Sequence, residues 1–133
     1  MKTLFVVPEI RLDSAPFNFP FWAGILAAIV KKKKGQVGIL DLNALRARYN
    51  GKQVPDKIIE EEVASEKWDL IGIGGLTTTY SRIKELTPLI RKNSPNSILI
   101  GGGGWSTYNP HEILALVPEL DLLVLGEGEE TFS

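Results

Sequence analysis

The sequence predicts an α/β fold: a doubly wound, five-stranded parallel sheet in the order 2-1-3-4-5. Three observations predict it. Short apolar runs without polar alternation occur at Leu4–Val7, Val37–Leu42, Leu70–Ile73, Ile98–Ile100 and Leu122–Leu125, as expected of parallel strands covered on both faces. Between them apolar residues recur at helical spacing, and glycines stand where the third, fourth and fifth runs stop. Right-handed crossovers leave few topologies for such an alternation. The chosen order, flavodoxin-like and Rossmann-like, opens a crevice where strands one and three diverge.

The elements follow in order. Strand one closes at Pro8, and Glu9–Pro20 is irregular, with prolines and few periodic apolar positions. A loop that long inside one domain is functional or mobile. Helix one starts near Pro20, with Trp22, Ile25, Leu26, Ile29 and Val30 on one face and Gly35 as its C′ residue. Strand two is followed by the polar stretch Asn43–Val54, to which no element is assigned. Pro55 opens helix two at N1, with Ile58, Ile59 and Val63 on its apolar face and Glu60–Glu62 solvated. The central strand runs from Asp69 into Gly74-Gly75 and three threonines before a helical pattern at Ser81. A strand ending in glycine, hydroxyls and a helix start builds a binding loop at the carboxyl edge of the sheet. Taken alone, the same stretch is a strand–turn–helix whose threonines compete for the N-cap.

Helix three carries Ile83, Leu86 and Ile90. Pro88 inside it predicts a bend near Lys84 or a start only after Glu85. Strand four runs into Gly101–Gly104, and Asn109-Pro110 make an N-cap and N1 pair for which Glu112 completes a capping box. Strand five ends in Gly-Glu-Gly-Glu-Glu, and Glu129–Ser133 read as the first turn of a further helix. The loops Glu9–Phe19 and Gly75–Tyr80 both open at the crevice.

At 133 residues, with 44% apolar and 23% charged residues, the chain is one globular domain. A net charge of −1 argues against nucleic acid or an anionic membrane surface as partner. Lys31–Lys34 sit at a predicted helix C-terminus, where cations complement the dipole. The absence of cysteine removes disulfides, thiolate metal sites and a thiol nucleophile. No apolar run reaches membrane-spanning length, and Lys2 leads into a strand, so the expectation is a soluble, cytoplasmic protein.

Residue types then exclude several chemistries. A phosphoacceptor receiver needs a carboxylate ending strand three and a lysine ending strand five, and here Gly74 and Gly126 stand there. No dinucleotide fingerprint follows strand one, and no phosphate-binding P-loop pattern exists. The lone His111 beside Glu112 reads as a solvated or capping residue, and no catalytic triad assembles around it. What remains is glycine clusters after three strands with almost no ionisable group among them. Glycines let a bulky ligand approach the backbone. Four in succession exceed what a tight turn needs, though a flexible loop would use them equally well. Trp105 directly after them is an aromatic wall or a core residue.

Five stretches carry a resemblance. Pro20 to Ala28, through Gly24, Leu26 and Ala27, and Leu40-Asp41-Leu42-Asn43 form the first pair of landmarks. Asp69 to Tyr80, Gly101 to Ile113 and Asp121 to Phe132 form the rest, the last with its G-E-G-E-x-T-F ending being the most specific. The chain resembles the N-terminal cobalamin-binding domain of radical S-adenosylmethionine enzymes, the group of cobalamin-dependent methylases and the anaerobic magnesium-protoporphyrin monomethyl ester cyclase. The match spans essentially all of residues 1–133.

That resemblance implies a corrin ring over the carboxyl ends of the strands and a nucleotide tail in a slot beside the sheet. Leu76, Thr77, Thr78, Thr79 and Tyr80 would line the slot, Gly101, Gly102 and Gly103 would admit the tail, Trp105 would stand beside them, and Gly126, Glu127 and Gly128 would close the other side. Trp105 stands where the family often has histidine, and Gly104 where it has proline. The D-x-H-x-x-G motif of methionine-synthase-like corrinoid proteins is absent from Pro8–Phe19, so no histidine would ligate cobalt from below. No catalytic or metal-ligating residue is assigned. S-adenosylmethionine and a 4Fe-4S cluster would belong to a catalytic domain downstream, whose three-cysteine motif this chain lacks. The expected role is a cobalamin-binding module whose partners are the corrinoid and that domain. The alternative, kept open by Trp105 and Gly104, is a domain of the same fold that has lost the corrinoid and serves substrate or partner contacts.

Overall fold

The computed structural model of the chain describes residues 1–10, 19–107 and 109–133, with Thr77 and Thr107 by backbone alone. In chain order the elements are β1 (Lys2–Val7), α1 (Phe21–Lys32), β2 (Gln36–Asp41), α2 (Leu42–Leu45), a 3-10 turn at Arg46–Tyr49 and α3 (Asp56–Ala64). Next come β3 (Leu70–Gly75), a 3-10 turn at Thr77–Thr79, α4 (Tyr80–Asn93) and β4 (Ile98–Gly103). The chain finishes with α5 (Gly104–Thr107), α6 (Pro110–Leu116), β5 (Leu122–Val124) and α7 (Gly128–Phe132). All strand pairs are parallel and the order is 2-1-3-4-5, as the alternation predicts.

Successive residues of β1 are buried because they serve opposite layers. Leu4 and Val6, with Ile71, Ile73 and Leu99, enter the larger core under α3, α4 and α6. Phe5 and Val7 enter a smaller one with Ala23, Leu26, Ala27 and Val30 of α1 and Phe132 of α7. On that second side Ile98 and Leu122 are exposed, so the helices cover the sheet unevenly. No helix among the described residues is long and apolar enough to cross a membrane.

Several local expectations change. Ile25 is 47% exposed, and the buried stripe of α1 is Ala23, Leu26, Ala27 and Val30. The left-handed residue that ends α1 is Lys34 (φ 62°), not Gly35. The Lys34 and Gly35 N–H groups donate to Lys31 and Val30 carbonyls at 2.9 Å each, the paired closure of a helix end. Gly35 is needed instead for space, since a Cβ there would lie 2.7 Å from Val30 Cγ1. Pro55 is the N-cap of α3 and not its first residue. Glu112 makes no capping box, because no side chain caps α6 at Asn109. The polar stretch after β2 forms α2, whose free N–H groups at Asn43 and Ala44 donate to Asp41 Oδ1 at 3.0 and 3.2 Å. Residues 11–18 of the expected loop lie outside the described residues.

α4 begins at Tyr80, not after Glu85, and continues across Pro88. The ring removes the N–H that would serve the Lys84 carbonyl, and Thr87 Oγ1 reaches that carbonyl at 3.5 Å. Burial decides the outcome. Ile83, Leu86 and Ile90 are almost completely inaccessible, and at about 1.5–3 kcal/mol each they outweigh the roughly 3 kcal/mol an interior proline costs.

The edge strand is held by one carboxylate. Asp121 Oδ2 accepts from the Leu99 N–H at 2.8 Å and from Arg91 Nη2 at 2.7 Å. The Leu99 hydrogen bond, with the Arg91 guanidinium and against partial burial, lowers the Asp121 pKa below its ordinary value. Because the folded pKa is depressed, this contribution is full above the unfolded carboxylate value and is lost as pH falls through the folded one. Thermal unfolding of Asp121→Asn is therefore expected to fall less steeply than the parent's on acidification below about pH 4. Parallel profiles in that window would show the carboxylate to be uninvolved.

Candidate functional site

Register determines what the second face of the sheet presents. Phe5, Gly72, Ile100 and Leu122 form one row across β1, β3, β4 and β5. Gly74, Gly102 and Val124 form the next row toward the carboxyl edge. Residues two apart on a strand share a face, so three glycines strip the middle of this face bare. A cavity of about 430 Å³ lies over them, walled by Phe5, Trp22, Leu26, Ile100, Val124 and Phe132. Its rim is Pro8, Ile10, Phe19 and Leu76 on one side and Gly126–Glu129 on the other. The Phe5 ring meets those of Trp22 and Phe132 edge-on, at centroid distances of 6.1 and 5.5 Å.

The glycines have different reasons. A Cβ at Gly72 would lie 3.0 Å from the Phe5 ring, and one at Gly74 would lie 3.0 Å from the Trp22 ring. These two seat the walls. A Cβ at Gly102 would meet nothing nearer than Val124 Cβ at 3.6 Å and would project into the cavity. Gly101 faces the other side of the sheet, where a Cβ would stand 2.7 Å from Trp105 Cζ2. Gly103 has φ 107°, and a Cβ there would overlap the Gly75 carbonyl oxygen.

The residues expected at a ligand site separate accordingly. Leu76, Thr79, Gly102, Gly126, Glu127 and Gly128 border the cavity, together with the backbone of Gly101 and Gly103. Thr79 is buried, and its hydroxyl donates to the Leu76 carbonyl at 2.7 Å within the turn. Thr78 lies instead in a shallow cleft with Glu9, Gln53, Ser81, Arg82 and Glu85. Trp105 does not line the cavity. It is buried in the larger core, where Nε1 donates to the Gly102 carbonyl at 2.6 Å, and Ser106 Oγ donates to Gly103 O at 2.9 Å as β4 turns into α5. Tyr80 packs against that core with its ring 6.1 Å from Trp105. Thr77 is described by backbone alone. Phe5, Trp22, Leu26 and Phe132 were legible in the sequence only as apolar residues. Gly72 and Gly74, two apart on one strand, were the available signal for the floor, and Gly102 joins them only through the register with β3.

A polar network fixes the wall that follows β1. Asn43 Nδ2 donates to the Pro8 carbonyl, and the Ile10 N–H donates to Asn43 Oδ1, both at 2.9 Å. The buried Arg46 donates through Nη1 to the Ile10 carbonyl at 2.7 Å. Between them the Glu9 carboxylate accepts from Arg82 Nε at 2.7 Å, Arg82 Nη2 at 3.1 Å and the Val54 N–H at 3.1 Å. Burial opposes the Arg82 charge, but Glu9, assisted by Glu85, raises its pKa overall. His111 is exposed on α6, and no group of three potential metal ligands occurs among the described residues.

A family model described as the B12 binding domain matches residues 11–133. The chain belongs to the B12-binding domain family. Two curated relatives are anaerobic magnesium-protoporphyrin IX monomethyl ester cyclases. That of Synechocystis sp. is 42% identical over 64 residues, covering 48% of this chain and 13% of the relative. That of Rubrivivax gelatinosus is 25% identical over 133 residues, covering 98% of this chain and 23% of the relative. The radical S-adenosylmethionine methyltransferase TsrM from Kitasatospora setae, solved with cobalamin and a 4Fe-4S cluster bound, has a TM-score of 0.78. It is 18% identical over 97% of this chain and 24% of that one, a likeness of fold. This B12-binding domain thus spans under a quarter of the length of these relatives.

The residues of the B12-binding domain fit a large flat ligand with a tail, because Gly102 leaves a cradle that a Cβ would fill. The Glu9–Arg82 pair holds one side of that cradle's mouth. Its side chains are only 2% and 10% exposed, so removing one charge leaves the other buried and costs about 3–5 kcal/mol. Urea unfolding of Glu9→Gln is expected to show a loss of that order. A loss under about 1 kcal/mol would mean that the pair behaves as an exposed one.

Proposed function

We propose that this B12-binding domain holds the corrinoid of a cobalamin-dependent radical S-adenosylmethionine enzyme, whose catalytic domain follows it in a longer protein. The reaction would be methyl transfer or a related radical step at an unreactive carbon. The observation that carries the reading is the glycine-floored cavity at the carboxyl edge, with Gly102 open into it. Relatives that carry a similar domain are named as a cyclase and a methyltransferase. Trp105, the departure that favoured a domain without corrinoid, fills the opposite face of the sheet and leaves the cavity clear.

Cobalamin, when bound, supplies the organometallic chemistry, and the protein supplies binding and orientation. In this reading the nucleotide tail enters over Gly72, Gly74 and Gly102, and Phe5, Trp22 and Phe132 exclude water from it. Leu76 and Phe19, 61% and 68% exposed at the rim, present apolar surface to the macrocycle. Gly126, Glu127 and Gly128 close the far side. S-adenosylmethionine and the 4Fe-4S cluster are assigned to the catalytic domain, since this chain has no cysteine to hold a cluster.

The purified chain is expected to retain hydroxocobalamin in equilibrium dialysis followed by absorbance. Gly102→Val is expected to reduce retention at least about ten-fold, because the added methyl groups occupy the tail's path. His111→Ala is expected to leave the cobalt spectrum unchanged. No retention at near-millimolar corrinoid would overturn the proposal, and a spectral change in His111→Ala would overturn the assignment of a lower face without a protein ligand.

A further inference from the structure

α1 is apolar on every side. From Phe21 to Val30 it carries no charged, hydroxyl or amide side chain. The sheet takes only one stripe of it, Ala23, Leu26, Ala27 and Val30. Phe21, Ile25 and Ala28, at positions i, i+4 and i+7, form a second face with Gly24 between them. Phe21 and Ile25 are 70% and 47% exposed, Ala28 is exposed too, and none of the three borders the cavity. A helix that is hydrophobic all round belongs inside a larger protein. Gly24 adds a second observation. Glycine inside a helix is destabilising relative to alanine, and other glycines of this fold make room: Gly72 for Phe5, Gly74 for Trp22, Gly101 for Trp105. A Cβ at Gly24 would meet no atom within 4 Å, so no neighbour among the described residues requires that notch.

Three observations bear on what covers the face. The chain spans under a quarter of the length of the relatives it matches. α7 lies against α1, with Phe132 packed on the α1 cluster, so polypeptide following it in a longer protein leaves beside this helix. Lys31–Lys34 stand exposed at the end of α1, with Lys32 in line with Phe21, Ile25 and Ala28, and no carboxylate pairs with these lysines among the described residues. We infer, building on the proposed function, that the outer face of α1 seats a helix of the catalytic part that follows residue 133. That helix lays an apolar stripe on Phe21, Ile25 and Ala28, brings its backbone close at Gly24, and turns acidic residues toward Lys32. Burial of apolar area drives the contact, and the notch sets its place.

The test places a thiol on the face. This chain has no cysteine, so Ala28→Cys gives one maleimide target in it and a target that peptide mass spectrometry resolves in the longer protein. Modification is expected to be at least about ten-fold slower in the longer protein than in the 133-residue chain, as for a site reached only by local opening. Adding Gly24→Leu to the longer protein is expected to restore the fast rate, while hydroxocobalamin retention by the chain keeps its parent value. Equal rates in the two proteins would overturn the docking and leave corrinoid binding intact. A slow rate that survives Gly24→Leu would overturn the seat at that notch. Slow modification already in the 133-residue chain would show the face covered from within and would overturn the inference. A fall in that chain's thermal midpoint on Gly24→Leu would do the same, by putting Gly24 in internal packing. Sedimentation velocity of the chain, and its flotation with phosphatidylglycerol vesicles, read the other occupants. A dimer or vesicle binding abolished by Ile25→Glu would give the face to a second copy or to a lipid surface, against the inference. Failure to retain corrinoid would overturn the proposed function alone, because the labelling rate reads the contact independently of the cofactor.

Discussion

The pairing of β3 with β4 at their glycine ends is the constraint on which the site depends. Gly74 lies beside Gly102 and Gly75 beside Gly103, so two central backbones run together with no side chain on the α1 face. Hydrogen bonds across adjacent strands hold them about 4.8 Å apart, and the rings of Trp22 and Phe5 then stand as walls beside a bare floor. The same pairing brings Gly103 against the Gly75 carbonyl and forces its left-handed φ. A glycine pair in the sheet has a cost, because it forfeits packing and raises the entropy of the unfolded chain. The opposite face compensates, with Trp105 and Leu123 filling the space over Gly101 and capping the strand end.

The mouth of the cavity is set by a different interaction. Leaving β1, the chain must cross the edge of the sheet with its backbone polar groups satisfied. Pro8, Glu9 and Ile10 are tied in turn to Asn43, to Arg82 with Val54, and to Arg46. These partners come from the start of α4 and from the segments between β2 and α3, α2 among them. α4 itself follows the Thr77–Thr79 turn on the other side of the crevice. One buried carboxylate therefore spans the divergence of β1 and β3, joining the two walls and lowering the entropy cost of ordering the site when a ligand arrives.

Shared fold does not by itself imply this site. Receiver-like domains use the same strand order with a carboxylate at the end of strand three. Here Gly74 and Gly75 end β3 and Gly126 follows β5, and the edge that could have bound a cation presents open backbone instead.

The sequence by itself determined the element order, the parallel sheet and the family. Apolar runs and helical spacing are local signals, and the handedness of crossovers converts them into strand order 2-1-3-4-5 with little freedom left. Glycine punctuation likewise placed Gly74–Tyr80 and Gly101–Trp105 at one edge. Only the tertiary structure decided what each of those residues faces. A run of glycines carries no parity, so whether Gly101 or Gly102 opens to the cavity depends on the register with β3 and β5, set by pairing across the sheet. Trp105 could be a wall or a core residue until that register sent it to the larger core. The ties of Asn43, Arg46 and Glu9 were equally illegible, because their partners lie 33 to 73 residues away along the chain and meet them only when the sheet assembles.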